Sequence, residues 1–112
     1  MKDEILSYIT QADHVSFVEL QQRFSQCFDG GSLALTLEEY NIVLWIGFTQ
    51  EGCKAMSELL KDNLIHFKPC STLIYMVDGR LLNFPIAKRE RKYKKPCWLP
   101  VVMRPGIGSI LN

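Results

Sequence analysis

The densest chemistry in this chain lies in eight residues near its C-terminus. Lys88, Arg89, Arg91, Lys92, Lys94 and Lys95 are six cations in that stretch, offset there by Glu90 alone, with Tyr93 among them. Closely spaced ammonium and guanidinium groups neutralise phosphates and release their counterions. A tyrosine between them adds a ring for stacking and a hydroxyl for hydrogen bonding. This pattern suits adhesion to a polyanion, not bond making. Reactive groups are sparse elsewhere. His14 and His66 are the only two histidines, the residue type suited to proton transfer near neutral pH. No serine lies in a nucleophile-elbow sequence. Gly30-Gly31 and Gly106-Ile107-Gly108 lack the flanking pattern of a phosphate loop. Cys27, Cys53, Cys70 and Cys97 are widely scattered, with no CxxC, and His66-x-x-x-Cys70 has no second pair to complete a tetrahedron. They read as small apolar residues kept reduced. No catalytic residue, metal ligand or cofactor is expected.

The cations are unevenly shared. The 112 residues carry a formal net charge of +1. Residues 1–87, however, hold six basic against eleven acidic residues, leaving −5, and residues 88–112 hold seven basic against one acidic, leaving +6. An acidic body with a basic tail points to an anionic partner for the tail. At 47% hydrophobic and 22% charged the body has the composition of a folded domain, not of a disordered chain. The N-terminus carries acid where a secretory signal needs a basic start. The longest strictly apolar stretch, residues 42–46, is five residues, against the ~20 that span a bilayer. A cytoplasmic location without a membrane role is expected.

The elements that must position these groups follow from periodicity. Ile5, Leu6 and Ile9 share a face of a short helix over residues 2–11. Ser16 and Glu19 form a capping-box pattern opening a second helix, along which Phe17, Leu20, Phe24 and Cys27 make an apolar stripe until Asp29-Gly30-Gly31. Residues 32–39 suit a short strand or a packed loop. Residues 41–48 read as a buried strand. Thr49 caps a third helix over residues 49–62, with Cys53, Met56, Leu59 and Leu60 facing inward and Asn63 as a left-handed stop. Residues 64–68, 72–77 and 81–84 read as a three-stranded meander, turning at residues 69–71 and at Asp78-Gly79. These elements give a domain over residues 1–87, then a basic arm over 88–112 with an apolar anchor at 97–103 and a frayed end.

Helix, helix, strand, helix and hairpin, in that order over residues 2–84, resembles the winged helix-turn-helix superfamily, through element order and without a diagnostic motif. The resemblance implies an α+β, winged-helix-like fold: three helices, a small antiparallel sheet with a hairpin wing, and the basic arm beyond it. It makes residues 49–62 the recognition helix and the turn at 69–71 the wing. About 20 residues (29–48) stand where a helix-turn-helix usually has three or four. A weak likeness to small proteins of bacterial mobile elements accompanies it.

At about 100° per residue, Gln50, Lys54, Ser57 and Lys61 fall on one line of the third helix, and Glu51, Glu58 and Asp62 on another about 90° away. The function expected is non-enzymatic, regulatory binding of duplex DNA. Lys88, Arg89, Arg91, Lys92, Tyr93, Lys94 and Lys95 carry the affinity, and Lys54, Ser57, Lys61, Lys68 and Arg80 add contacts. The alternative is a protein–protein interaction module of the same fold, in which Trp98, Leu99 and Val101 form an exposed face for a homodimer or another protein and the basic arm docks on an acidic protein partner. An arm folded onto residues 51, 58 and 62 would favour that alternative.

Overall fold

A computed structural model describes residues 1–87 and 92–108 of the chain. Helix α1 (Lys2–Ala12) buries Ile5 and Ile9, one turn apart. Two successive residues in the left-handed region, Asp13 (φ 48°) and His14 (φ 52°), then reverse the chain. Such residues cost about 1–3 kcal/mol each unless their surroundings hold them. Here Arg104 does so, donating from Nε and Nη2 to the two Asp13 carboxylate oxygens at 2.9 and 3.1 Å. The turn delivers Val15 beside Met103, and the two residues exchange backbone hydrogen bonds of 3.0 and 2.7 Å.

The expected capping box is present: Ser16 Oγ accepts from the Glu19 N–H and the Glu19 carboxylate accepts from the Ser16 N–H. The helix it opens, α2 (Phe17–Arg23), is shorter than its apolar stripe implied. Phe24 leaves the helical region (φ −127°, ψ 55°), and a single turn, α3 (Ser25–Phe28), buries Cys27 and Phe28. Residues 33–37 form strand β1, paired antiparallel with β2 (Ile42–Phe48), the expected buried strand. Helix α4 (Gln50–Lys61) follows with Thr49 as its cap and Asn63 left-handed beyond it. Strand β3 (Ile65–Pro69) then runs antiparallel to β5 (Val101–Pro105).

Three expectations fail here, for physical reasons. Residues 72–77 are not a strand: α5 (Thr72–Asp78) is capped by Ser71 and stopped by Gly79 at φ 98°. Asp-Gly acts as a helix C-terminus because the Gly79 N–H reaches back to the Tyr75 and Met76 carbonyls. Residues 81–84 form no strand, so neither the meander nor a hairpin wing at 69–71 exists. Nor does packing break at residue 87. Trp98, of the short β4 (Cys97–Trp98) that runs parallel to β2, and Val101 and Met103 are all buried in the same core as Ile5 and Phe17. The anchor docks on the chain's own body.

The result is a mixed α+β fold with two small sheets, ordered β1-β2-β4 and β3-β5. An aromatic cluster joins them. Trp45 packs against Phe17, Tyr75 and Trp98, and Tyr75 meets Trp98 edge-on at 5.2 Å. Tyr75 is fully buried, and its hydroxyl donates to Val101 O (2.6 Å) while accepting from the Phe17 N–H (3.2 Å).

Replacing Tyr75 with Phe keeps the ring but strands two buried backbone groups, a loss of about 1–3 kcal/mol in urea unfolding. Burial also pushes the Cys70 thiol up to about 11 and raises the Tyr75 phenol above its ordinary range. The folded chain therefore holds both protons after the unfolded chain has released them. These two groups add no pH dependence below about pH 8.5, and stability should fall as pH rises beyond it, a trend read from the urea midpoint against pH.

Candidate nucleic-acid interface

Helix α4 is positioned from its first residue. The Thr49 N–H and hydroxyl both donate to Cys27 O at 3.0 Å, and the hydroxyl accepts from the Gly52 N–H. Gly52 is the close approach that lets α4 meet α3, since a Cβ there would collide with the Cys27 carbonyl. With Gly52, Ala55, Met56 and Leu59 buried, the opposite face must be outermost. Gln50, Lys54, Ser57 and Lys61 are indeed all exposed. The neighbouring acidic line is partly neutralised. Lys2 Nζ lies 3.3 Å from the Glu58 carboxylate, while Glu51 and Asp62 are exposed without an ion pair among the described residues. Lys2 was not singled out from sequence, because only the packing of α1 against α4 brings it to Glu58.

The basic run is reached from the other direction. Lys88, Arg89 and Arg91 lie outside the described residues. Lys92, Lys94 and Lys95 are exposed, and Tyr93 between them is half-buried against the core. The Tyr93 backbone is pinned on both sides: its N–H donates to Tyr40 O (3.0 Å) and its carbonyl accepts from Asn41 Nδ2 (3.3 Å). These lysines therefore sit at the N-terminal end of β2, whereas α4 begins just past its C-terminal end, about 20 Å away along a seven-residue strand. Lys54 and Lys61 thus stand on α4, and Lys92, Lys94 and Lys95 stand beside the N-terminal end of β2, on different elements. No lysine of the run pairs with Glu51, Glu58 or Asp62 among the described residues.

The other expected contacts divide. Lys68 is exposed on β3 with no ion pair among the described residues. Arg80 stands on no β-hairpin: it follows the α5 cap, donates to Gln21 Oε1 at 2.7 Å and lies 3.6 Å from the Asp29 carboxylate. Its guanidinium ties α5 to the α2–α3 region. Trp98, Leu99 and Val101 are 1%, 5% and 0% exposed, so the face expected from them is interior. His66 Nδ1 lies 3.0 Å from Gly106 O and His14 is an exposed turn residue. Among the described residues no group of His, Cys, Asp and Glu could hold a metal ion, and no helix is long and apolar enough to cross a membrane.

The chain matches no family model, no curated protein and no solved structure. What can be said of the site rests on its geometry.

Removing the Thr49 hydroxyl as Thr49→Ala should lower stability by about 1 kcal/mol. Gly52→Ala should cost more, about 3 kcal/mol, since the collision is with backbone. Thermal unfolding of the two variants checks the order.

Proposed function

We propose that this chain is a non-enzymatic protein that binds duplex DNA in a winged-helix manner, with α4 entering the groove and the basic run gripping phosphates. One observation carries the reading. The extended residue Val15 pairs with Met103 on one side of β5, and β3 pairs with β5 on the other, so α1, Val15, α2, α4, β3 and β5 follow one another as in a winged helix. On this reading the β1–β2 hairpin is an insertion between the second helix and the recognition helix. The wing is the whole connection from Pro69 to Val101, and that connection contains residues 88–95. Lys92, Lys94 and Lys95 thus stand ahead of β5, which is held in the core, and not on a trailing arm.

Electrostatics supports the same assignment. Lys54, Lys61, Lys68, Lys92, Lys94 and Lys95 are exposed with no ion pair among the described residues, which leaves them free to neutralise phosphates. Ser57 and Gln50, on the line of Lys54 and Lys61, offer neutral donors and acceptors suited to base edges. Lys2 draws off the charge of Glu58, the acid nearest that line on the α1 side. A regulatory role in the cytoplasm is the natural use of such a protein.

Fluorescence anisotropy of the full chain with a mixed-sequence duplex at two salt concentrations tests this. Wild-type affinity should fall steeply with salt. Lys54→Ala/Lys61→Ala should reduce the log–log salt slope by about 1.8, and Lys92→Ala/Lys94→Ala/Lys95→Ala by about 2.7, at ~0.9 per phosphate contact. Absence of binding at low salt, or binding indifferent to both sets, would overturn the proposal. Truncation at residue 87 is no substitute, because it deletes β5 and with it the fold.

A further inference from the structure

The surface of α5 and the segment after it departs from the rest of the molecule. Tyr75 is the one buried residue of this seven-residue helix. Around it Leu73, Ile74, Met76 and Val77 are 63%, 37%, 54% and 85% exposed, and Leu81, Phe84 and Ile86 beyond the cap are 53%, 37% and 41% exposed. Scattered apolar residues on a surface need no explanation, but seven within fourteen consecutive residues do. The segment after Gly79 returns to the start of α5. Ile86 and Thr72, from opposite ends of the stretch, line the same hollow.

We infer that this surface is where two copies of the chain pair about a two-fold axis. Three observations select a second copy as the occupant. The first is charge. Between residues 71 and 86 the only charged side chains are Asp78 and Arg80. Both are already partnered on the chain's own body: Asp78 accepts from Ser16 Oγ at 2.6 Å, and the half-exposed Arg80 is paired with Gln21 and Asp29. A strip whose one exposed charge is already paired meets its own image with little like-charge repulsion and offers little to attract an acidic or basic partner. The second is shape. Leu73 and Val77 stand one turn apart on the outermost line of α5. Beside its N-terminus lies a hollow of about 450 Å³ lined by Cys70, Thr72, Ile86, Leu99 and Pro100. A patch that carries both a projection and a recess of the same apolar chemistry can fill itself when two copies pair. The third is area. The seven residues expose roughly 700 Å² per copy, so a pair that covered the whole patch would bury at most about 1,400 Å², a size that specific dimers reach. This inference is independent of the nucleic-acid reading, because none of its residues is assigned to phosphate or base contacts except Arg80, whose charge is already engaged.

Sedimentation velocity of the full chain over about 1–100 µM tests it. The wild type should sediment as a species of twice 12.9 kDa. Leu73→Glu/Val77→Glu on the projection and Ile86→Glu beside the hollow should each give the monomer. Circular dichroism keeps the result clear of misfolding, since all three positions are exposed and the variants should retain the wild-type spectrum. A wild type that is monomeric throughout, or a dimer that survives both sets of substitutions in folded protein, would overturn the inference. An exposed apolar surface that serves a different protein would give the first of these results.

Discussion

Everything else in the molecule is arranged around a strand that arrives last. β5 lies between Val15 and β3, so the Met103 backbone bonds residue 15 on one edge while the strand satisfies residues 65–69 on the other. An amide and a carbonyl buried without partners would each cost a kcal/mol or more, so the pairing is close to obligatory. The turn at Asp13-His14 is tolerable because Arg104, in the same strand, clamps its carboxylate. The side chains of β5 then complete a core begun by the first helix. A chain of mostly local helices is thereby closed by contacts between its two ends, and no segment up to residue 87 has a finished interior of its own.

That closure also determines what the connection between β3 and β5 can be. Tyr75 pins α5 against Trp45 and Trp98, and its hydroxyl bridges Phe17 to Val101. Ala87 and Trp98 share a further backbone bond, and Tyr93 is tied to Tyr40 and Asn41. A loop tethered at so many points loses less conformational freedom on meeting a ligand than a free tail does. On the proposed reading the basic run gains from this, because its cations are presented near a fixed end of β2.

The parts of the fold legible in the sequence were those where one local signal had one physical meaning. Ser16 with Glu19, Thr49 ahead of an amphipathic stretch, and the β-branched run 42–48 each became the element expected. The solvent face of α4 was legible too, because Gln50, Lys54, Ser57 and Lys61 follow helical spacing and no neighbour covers them. The failures have equally specific causes. Residues 73–77 are apolar throughout, so their periodicity cannot distinguish a strand buried on both faces from a helix with one buried residue and an unpartnered surface. Asp78-Gly79 serves a hairpin or a helix stop equally well. Trp98 and Val101 looked like spare hydrophobic surface because β5 finds its partners at residues 15 and 65–69, and no local pattern reports a pairing over that distance. Arg80 was legible as a cation but not as one already engaged by Gln21 and Asp29.

The two charge populations then acquire a geometric sense. The body's negative charge disfavours a polyanion over most of its surface, so the proposed binding is confined to the places where lysines stand without acidic partners. Those places are the outer line of α4, Lys68 on β3 and the exposed lysines near the start of β2. The acidic residues beside α4 act on orientation: Glu51 and Asp62 repel phosphates on one flank, while Lys2 removes that penalty at Glu58. On the proposed reading, a helix so bordered accepts a duplex in a restricted range of tilts. The α5 surface uses none of these lysines, so pairing through it does not consume their charge. A two-fold pair would then present each patch twice, and the number of phosphates neutralised per assembly would double without any new cation in the sequence.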